Sequence, residues 1–459
     1  MSGRKKYSVL RDPVQGDVYL THEELSVLDT VEMQRMRGVR QLGTAYLVYP
    51  GAVHTRFDHM IGSLHVTQQI VDAINLSFEL DPAGLIRISE EEARVIRLAA
   101  LVHDITHIPF GHSLEDQDGI FRRHDSAYRF EQVLDPATEV GGRLEELGVR
   151  EDVLAILARG RGGESRPIPS YWWQVVSGTI CSDILDYLAR DAYFTGLRLE
   201  IDPRVTSYFK VDRASNNLFI DLCKHDLLRE DILSEMVRLL EARYYFSERV
   251  YYHHAKVSSG AMVARAVELA LRAGCVAEES FYDQTDASIL DLLERSVEGA
   301  EAATRDTVRR LVRSFRARKL YKRVCVFPRY ENADVQEALV ARFFAQGGAD
   351  QRREVEERLA DLVRFATGRE VELMIYCPAQ RMQLKEARTH VRWPGQAEVL
   401  PLSHFSEQVP RLADLERSYR DLWKFYLLAD SDDPALLARV RDIAVQELTE
   451  ATNAYSIGG

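Results

Sequence analysis

The segment SEEEARVIRLAALVHDITHIPFGH (89–112) decides the fold. Ser89 and Glu92 have the spacing of a capping box that begins a helix, and residues 95–102 continue it with a largely apolar run. A helix that is apolar nearly all round is buried, so the polar pair that ends it, His103 and Asp104, is expected to be buried as well. The segment therefore predicts a mostly helical protein with ionisable groups at the edge of its core.

A buried imidazole beside a buried carboxylate needs partners, because unpaired buried charge is costly. A divalent metal ion satisfies both groups, and this ligand pair suits manganese, iron, zinc and sometimes magnesium. The alternative is that His103 and Asp104 bond only to each other and to the end of the helix. A histidine near the start of an earlier helix, His59, favours the metal.

The segment SDILDYLARD (182–191) adds carboxylates at helical spacing. Asp183, Tyr187 and Asp191 are four residues apart, which places them on one face of a helix where they can point into one cavity. The alternative is a solvated stripe in which a base such as Arg190 pairs with one carboxylate. Together with the histidines, the spacing favours the cavity.

Elsewhere the pattern is also helical, over residues 21–273 and 289–318, except for the predicted hairpin KVDRASNNLFIDL (210–222). After Tyr321 the composition changes. RVCVFPRY and EVELMIYCP indicate strands, and they flank a charged helical stretch that a Gly347–Gly348 break divides. We therefore expect a core over residues 1–320 and a smaller α+β lobe over residues 321–459.

Charge and composition exclude several classes of protein. Acidic residues outnumber basic ones by 71 to 59, a formal net charge of −12, so general binding to a nucleic-acid backbone is not indicated. The sequence contains no run of about 18 apolar residues, the length that a membrane-spanning helix needs. The N-terminus lacks a signal-peptide pattern, and five scattered cysteines form no CxxC pair, which together favour a cytoplasmic location.

The order His59, His103–Asp104, Asp183 resembles that of the HD-superfamily metal-dependent phosphohydrolases. Longer blocks resemble one group within it, the deoxynucleoside triphosphate triphosphohydrolases, over about residues 8–325. The blocks are QLGTAYLVYPGAVHTRFDH (41–59), LVHDITHIPFGH (101–112), DILDYLARD (183–191) and RYYFSERVYYHHAK (243–256). The resemblance implies an HD-domain helical core, with its motif region at about 50–195, a short hairpin and a smaller C-terminal α+β lobe.

The resemblance also implies a role for individual residues. The implied ligands of a divalent metal (Mn, Fe, Mg or Zn) are His59, His103, Asp104 and Asp183. The implied catalytic groups are His107, His124, Arg56, His112 and Glu115. The implied substrate-binding residues are Gln41, Leu42, Tyr187, Asp191, Arg243, Tyr251 and Lys256.

The implied reaction converts a deoxynucleoside triphosphate to a deoxynucleoside and triphosphate, through attack at the α-phosphorus. Gln41 and Asp191 would hold the 3′-hydroxyl, while Leu42 and Tyr187 would crowd the 2′ position against ribose. Arg243 and Lys256 would contact phosphates and Tyr251 the sugar; a solvated helix face is the alternative for the two cations. In the segment HDITHIPF (103–110), Thr106 and Ile108 replace two glycines of the family pattern, and Ile108 is expected to narrow the pocket.

A further block, DTVEMQRMR (29–37), resembles a regulatory nucleotide site of this family, with Asp29, Gln34 and Arg37 at the positions that recognise guanine. The alternative is the start of an amphipathic helix with exposed charges. Relatives form homo-oligomers, so a dimer or tetramer is expected. Two other functions stay open: an HD phosphohydrolase that acts on a monophosphate, cyclic or modified nucleotide, and a nucleotide sensor without catalysis.

Overall fold

Helices make up most of the chain, as the sequence predicts. The computed structural model describes residues 7–115, 121–159, 166–199, 201–345, 347–378 and 388–456. Helices within these ranges are α1 (His22–Leu28), α2 (Val31–Arg35), α3 (Arg56–Leu80), α4 (Glu90–Val102), α5 (Gly111–Glu115), α6 (Ala127–Val133), α7 (Glu139–Glu146), α8 (Arg150–Leu157), α9 (Ser170–Ser177), α10 (Ser182–Thr195), α11 (Glu230–Phe246), α12 (His254–Arg272), α13 (Ser288–Ser296), α14 (Ala302–Arg316), α15 (Arg329–Asn332), α16 (Gln336–Phe343), α17 (Gly348–Thr367), α18 (Pro410–Arg420) and α19 (Pro434–Glu447).

Strands are short and fall into four small sheets within the same ranges. They are β1 (Ser8–Asp12), β2 (Gly16–Leu20), β3 (Phe209–Val211), β4 (Leu218–Asp221), β5 (Cys223–Lys224), β6 (Leu227–Leu228), β7 (Lys322–Pro328), β8 (Leu373–Tyr376), β9 (His390–Arg392), β10 (Val399–Pro401) and β11 (Lys424–Ala429). The predicted hairpin is confirmed as β3 and β4, which pair antiparallel. Asn216 occupies its turn with φ of +57°, a left-handed conformation that asparagine tolerates better than most residues.

Three helices position the ionisable groups. Helix α3 packs against both α4 and α10, and its first turn begins with a capping box between Thr55 and Asp58. The predicted capping box of Ser89 and Glu92 is confirmed at the start of α4, and His103 is the C-terminal cap of that helix. The first turns of α3 and α10 and the last turn of α4 therefore meet in one place.

The C-terminal region contains the predicted strands β7 and β8, which both pair antiparallel with β11 in the order β7-β11-β8. The predicted helical stretch between them is also confirmed, as α16 and α17 separated at Gly347. Strand β9 pairs parallel with β4, with Ile220 opposite Val391, so the hairpin and the C-terminal region share one four-stranded sheet. The division at residue 320 stays a prediction, but the chain on its two sides is joined by these hydrogen bonds.

Two apolar clusters form the core. The larger one contains the interfaces of α3, α4 and α10 and extends into the C-terminal sheet. The second lies around α12, α13 and α14 and includes Phe110, Phe281 and Phe315. In the described part of the chain, no helix combines the length and the apolar character that crossing a membrane requires.

Candidate active site

The side chains of His59, His103, Asp104 and Asp183 converge at the junction of α3, α4 and α10. The Nε2 atom of His59 lies 3.2 Å from Nε2 of His103 and 3.0 Å from Oδ1 of Asp183. The Nε2 atom of His103 lies 3.7 Å from oxygens of both Asp104 and Asp183, and Oδ2 of Asp104 is 3.9 Å from Nε2 of His59. All four side chains therefore surround one point.

These separations fit a metal ion. Bonds of about 2.0–2.2 Å to nitrogen and oxygen place neighbouring ligand atoms roughly 3.0–3.5 Å apart, close to the distances observed. The set is also chemically suitable, because two imidazoles and two carboxylates suit divalent ions of the first transition row. His59 and His103 are buried, whereas the Asp183 side chain is 32% exposed and reaches the adjoining cavity. The residues can hold a divalent ion whose open side faces a ligand.

The two histidine rings are oriented by hydrogen bonds on the side away from this point. Nδ1 of His59 lies 2.9 Å from Oδ2 of Asp186, and Nδ1 of His103 lies 2.8 Å from the carbonyl oxygen of Ala100. Each Nδ1–H therefore donates outward, and each Nε2 faces the shared point, where its lone pair would be available to a bound cation once Nε2 has lost its proton. Metal-binding histidines are typically fixed in this way by a carboxylate or a carbonyl group.

Asp186 is itself tightly held, and it was not among the residues predicted from sequence. Its carboxylate accepts hydrogen bonds from Arg190 at 2.8 and 2.9 Å and from Gln15 at 2.7 Å. Arg190 also donates to Asp12. The i,i+4 spacing of Asp186 and Arg190 is visible in the sequence, but the two partners from the N-terminal hairpin, Gln15 and Asp12, are brought in only by folding.

The ionisable groups at this point are strongly coupled. Burial alone would raise the pKa of Asp183, but hydrogen bonds from His103 and His59 hold it below its ordinary value. Burial would likewise raise the pKa of Asp104, but the Arg56 guanidinium, 2.5 Å away, and the rings of His107 and His103 hold it well below its ordinary value. Both carboxylates are thus ionised and supply the negative charge that a divalent cation needs.

A second group of ionisable side chains lies beside the first. The rings of His107 and His124 stack with centroids 3.6 Å apart, and the His112 ring is 5.3 Å from each. Nδ1 of His124 lies 2.6 Å from Oε2 of the buried Glu115. Nε2 of His107 is 3.3 Å from Oδ1 of Asp104, so this histidine group directly adjoins the metal-ligand set.

The surroundings of His107 and Glu115 lower the pKa of both groups. Burial, Arg56 and His124 lower the pKa of His107, against the opposing effect of Asp104, which makes His107 a neutral imidazole. Burial would raise the pKa of Glu115, but the three histidines lower it below its ordinary value. Glu115 is therefore a carboxylate that orients His124.

Two arginines hold the backbone that carries His107. Arg35 donates to the carbonyl oxygens of Ile105 and His107, each at 2.9 Å. Arg129 donates to the carbonyl of Thr106, and its guanidinium lies 3.7 Å above the ring of Tyr282. Carbonyls that follow the end of α4 lack helical partners, so these cations fix the loop between Asp104 and His107. Sequence reasoning gave neither arginine a role, because Arg129 lies outside the quoted blocks and Arg35, although within the 29–37 block, is not one of its guanine-recognising positions.

A cavity of about 390 Å³ opens from this point, a size that suits a small organic ligand. Twelve residues predicted to take part in catalysis or binding line it: Gln41, Leu42, Arg56, Asp104, His112, His124, Asp183, Tyr187, Asp191, Arg243, Tyr251 and Lys256. His59, His103, His107 and Glu115 lie behind this lining. The roles of all these residues stay predictions, but the fold brings them to one site.

The end of the cavity away from the metal ligands is built around Asp191, which is buried. Its Oδ2 accepts a 2.7 Å hydrogen bond from the Tyr251 hydroxyl, and its Oδ1 lies 2.9 Å from Nε2 of His54. The Oε1 atom of Gln41 is also buried there and has no hydrogen-bond partner among the described residues. We call this end, formed by Gln41, His54, Asp191 and Tyr251, the hydroxyl end.

Arg243 and Lys256 are half-buried in the cavity wall rather than on a solvated helix face. A single turn of π-helix, Ser247–Tyr251, separates α11 from α12 and carries Tyr251; such turns are frequent at functional sites. The Nζ of Lys256 donates to the carbonyl oxygen of Tyr251 at 3.2 Å. The chain from α11 to α12 therefore supplies a cationic wall.

The C-terminal region adds residues to the cavity that sequence reasoning missed. Tyr376, Pro378 and Tyr419 belong to β8, the residues after it, and α18, and all three line the cavity. The Tyr376 hydroxyl donates to the carbonyl oxygen of Ser113 at 3.2 Å. No local pattern marks these residues, since only the packing of the C-terminal region places them there.

Two other predictions have different outcomes. Ile108 is not confirmed as a residue that narrows the pocket, because its side chain is fully buried in the second core cluster. Asp29 and Arg37 are exposed near α2. The side chain of Gln34 accepts a 2.8 Å hydrogen bond from Nε of Arg37. None of these three residues lines the cavity, and their regulatory role stays a prediction.

Two known protein families match separate ranges of the chain. The HD domain family matches residues 56–191, the range that contains the four convergent ligands. The chain contains an HD domain. A family described as the HD associated region matches residues 227–449, which include the cationic wall and the C-terminal residues of the cavity. An HD domain supports a metal-dependent phosphohydrolase, and the His and Asp groups here are able to hold a metal.

Individual proteins that resemble the chain fall into two sets. An uncharacterised protein of Methanocaldococcus jannaschii is 30% identical over 56% of this chain and 49% of its own length. A protein of Dictyostelium discoideum named as a homologue of deoxynucleoside triphosphate triphosphohydrolase SAMHD1 is 27% identical over 70% of this chain and 60% of its own length. Human deoxynucleoside triphosphate triphosphohydrolase SAMHD1 is 27% identical over 53% of this chain and 42% of its own length. The chain thus spans about half the length of these relatives.

Proposed function

We propose that this HD-domain protein is a metal-dependent deoxynucleoside triphosphate triphosphohydrolase. One observation carries the proposal: two carboxylates of the four-residue set and most of the hydroxyl end line one cavity whose wall also carries Arg243 and Lys256. The carboxylates are Asp104 and Asp183, and the residues of the hydroxyl end are Gln41, Asp191 and Tyr251. A nucleoside triphosphate offers a matching combination of groups, with phosphates for the metal and cations and a sugar hydroxyl for Asp191 and Gln41.

The divalent ion, when bound, would act as a Lewis acid and lower the pKa of a bound water. The protein supplies the remaining charge. Arg56 lies against Asp104 at 2.5 Å and borders the cavity, where it can also contact a phosphate oxygen. Arg243 and Lys256 neutralise the other phosphates, since charge-assisted hydrogen bonds to phosphate are about twice as strong as neutral ones.

Departure of the nucleoside requires a proton for its 5′-oxygen. We assign the donor role to His124, because it is the ring in this group that has the Glu115 carboxylate on Nδ1 and its other edge towards the cavity. His107, which the resemblance also assigns to catalysis, is neutral; its Nε2 lies 3.3 Å from the Asp104 carboxylate and donates to it, and its ring stacks on His124 and so helps to position the proposed donor. General acid–base groups of this kind contribute about 10²- to 10⁴-fold to a rate.

The names of the Dictyostelium and human relatives, both as deoxynucleoside triphosphate triphosphohydrolases, support this substrate class. We also propose, on the resemblance alone, that Asp29, Gln34 and Arg37 form a regulatory nucleotide site and that the chain assembles as a dimer or tetramer. Manganese, iron, magnesium and zinc are all compatible with two imidazoles and two carboxylates.

A turnover screen tests the proposed function. Purified protein is stripped of metal, reloaded with Mn, Fe, Mg or Zn, and incubated with each of the four dNTPs and the four NTPs. Chromatography should show deoxynucleoside and triphosphate as the products. Release of inorganic phosphate, or turnover of a monophosphate, cyclic or modified nucleotide instead, would identify a different HD phosphohydrolase, and binding without turnover under every metal would identify a sensor.

A further inference from the structure

His54 is a buried residue for which the motifs give no role. Its side chain has no exposed surface, and its ring stacks on Phe194 with centroids 4.6 Å apart and planes 21° apart. It lies in the turn before α3, five residues ahead of His59. Since a buried imidazole carries a desolvation cost, its contacts need an explanation.

Both hydrogen-bonding parts of His54 contact the hydroxyl end. Its ring nitrogen Nε2 lies 2.9 Å from Oδ1 of Asp191. Its backbone carbonyl oxygen accepts a 3.1 Å hydrogen bond from the backbone N–H of Gln41. The ring of His54 therefore holds the Asp191 side chain, and its backbone holds the backbone of Gln41, although Gln41 and Asp191 lie 150 residues apart in the chain.

The protonation pattern of His54 follows from its surroundings. Nδ1 is buried and has no partner among the described residues. An unpaired lone pair is less costly there than an unpaired N–H, so we assign the proton to Nε2, which donates to Asp191. With the Tyr251 hydroxyl on Oδ2, both carboxylate oxygens of Asp191 each have one donor and keep a further lone pair for a ligand.

We propose that His54 is a positioning residue for 3′-hydroxyl recognition: it holds Asp191 and Gln41 so that a ligand hydroxyl fits between them. This inference rests on the proposed function, because it takes a deoxynucleotide as the ligand. A site built to hydrogen-bond a hydroxyl rejects an analogue that lacks it, since the buried polar groups are then left unpaired. His54 thus acts on the choice of substrate and not on the chemical step.

The test compares 2′-deoxy- with 2′,3′-dideoxynucleoside triphosphates in the wild type and four variants. His54→Phe keeps a ring against Phe194 and removes the donor, and His54→Asn keeps a polar group that cannot reach Asp191. His54→Gln retains a donor at about the reach of Nε2. The matched control is His65→Phe. His65 lies on α3 and contacts Gln69, which is not part of the hydroxyl end.

We expect the wild type to prefer the deoxynucleotide in kcat/KM by at least about 100-fold, as hydroxyl-binding sites do. His54→Phe and His54→Asn should reduce this preference at least tenfold, by slowing the deoxy substrate while the dideoxy substrate is nearly unaffected. His54→Gln and His65→Phe should retain the preference, and bound metal should be unchanged in all variants.

Equal losses on both substrates would overturn the proposal, because they would show a purely structural role. An unchanged preference in His54→Phe and His54→Asn would also overturn it. If the wild type turns over no dNTP, the proposed function fails, and calorimetric binding of the same two nucleotides then decides: a deoxy preference that His54→Asn removes supports the positioning role, and equal affinities in the wild type reject it.

Discussion

The hydroxyl end of the cavity differs from the opposite end, which we call the metal end and which is formed by His59, His103, Asp104 and Asp183. The difference lies in the hydrogen-bond partners of particular side chains. At the metal end, both histidine ligands have an outward partner, Asp186 or the carbonyl of Ala100, and Asp186 has further partners of its own. At the hydroxyl end, Oε1 of Gln41 is buried without a hydrogen-bond partner among the described residues. The first region therefore orients side chains that are able to hold an ion, whereas the second keeps a buried acceptor that has no partner among the described residues.

This difference predicts different responses to substitution. A change at the metal end should act on every substrate, because it alters the ion that all of them share. A change at the hydroxyl end should act on some substrates and not on others, because its hydrogen bonds depend on groups that only some ligands carry.

The largest effect is expected for Asp183→Asn, which removes a negative ligand with almost no change of shape. Loss of a second-layer partner costs about 10- to 100-fold in metal affinity or activity, so loss of a direct ligand should cost more, on the order of 10³-fold. Metal content by mass spectrometry and turnover should fall together, for all nucleotides. Asp72→Asn, on the exposed side of α3, is the control. Full metal content with full activity in Asp183→Asn would contradict the ligand assignment.

The next effect is expected for His124→Gln, which removes the assigned proton donor and leaves the metal ligands intact. We expect kcat to fall about 10²- to 10⁴-fold, the usual contribution of a general acid, with KM and metal content nearly unchanged. Glu115→Gln should give a smaller loss in the same direction, because it removes the carboxylate on Nδ1. A His124→Gln protein with normal kcat would reassign the proton to another group.

A smaller effect is expected for Asp186→Asn, which tests whether the outward partner of His59 matters. The amide no longer accepts as strongly from Nδ1, so metal affinity should fall about 10- to 100-fold. Turnover measured against metal concentration should recover at high metal, in contrast to Asp183→Asn. If added metal does not restore activity, Asp186 has a role beyond orienting His59.

The smallest effect is expected for Leu42→Ala at the cavity wall. Leu42 is nearly fully buried, and it is predicted to exclude a 2′-hydroxyl by steric contact alone. Steric exclusion of this kind is weak, on the order of 10²-fold, so the preference for dATP over ATP should fall by about tenfold while dATP turnover changes little. An unchanged preference, measured by competition between the two nucleotides, would place the discrimination on Tyr187 or elsewhere.

Residues at the ends of regular elements were accessible to sequence reasoning. Ser89 and Glu92 mark the start of α4, and His103 follows where its apolar run stops, because capping and helical periodicity are local properties. The four-residue spacing of Asp183, Tyr187 and Asp191 likewise predicts a shared face, and all three line the cavity. The assignment of these residues to metal, phosphate or sugar came from the resemblance.

Residues that act through others were not accessible. No predicted role fell on His54, Arg35 or Arg129. Yet His54 contacts Asp191, and the two arginines bond the backbone carbonyls of residues 105–107. Ile108 lies next to a predicted catalytic histidine and still points into the core. Sequence distance from a motif therefore did not indicate which side chains face the cavity.

Local sequence was sufficient to predict the helical character of the chain, the start of α4, the shared helix face of Asp183, Tyr187 and Asp191, and the kinds of side chain available to a cation. Each of these depends on residues within a few turns of one another. Packing of distant segments was needed to bring together His59, His103, Asp104 and Asp183. It also places Asp186 against His59 and His54 against Asp191, and it brings the C-terminal region into the wall of the cavity. Those contacts join segments far apart in the chain, and they depend on how α3, α4, α10 and the C-terminal sheet pack.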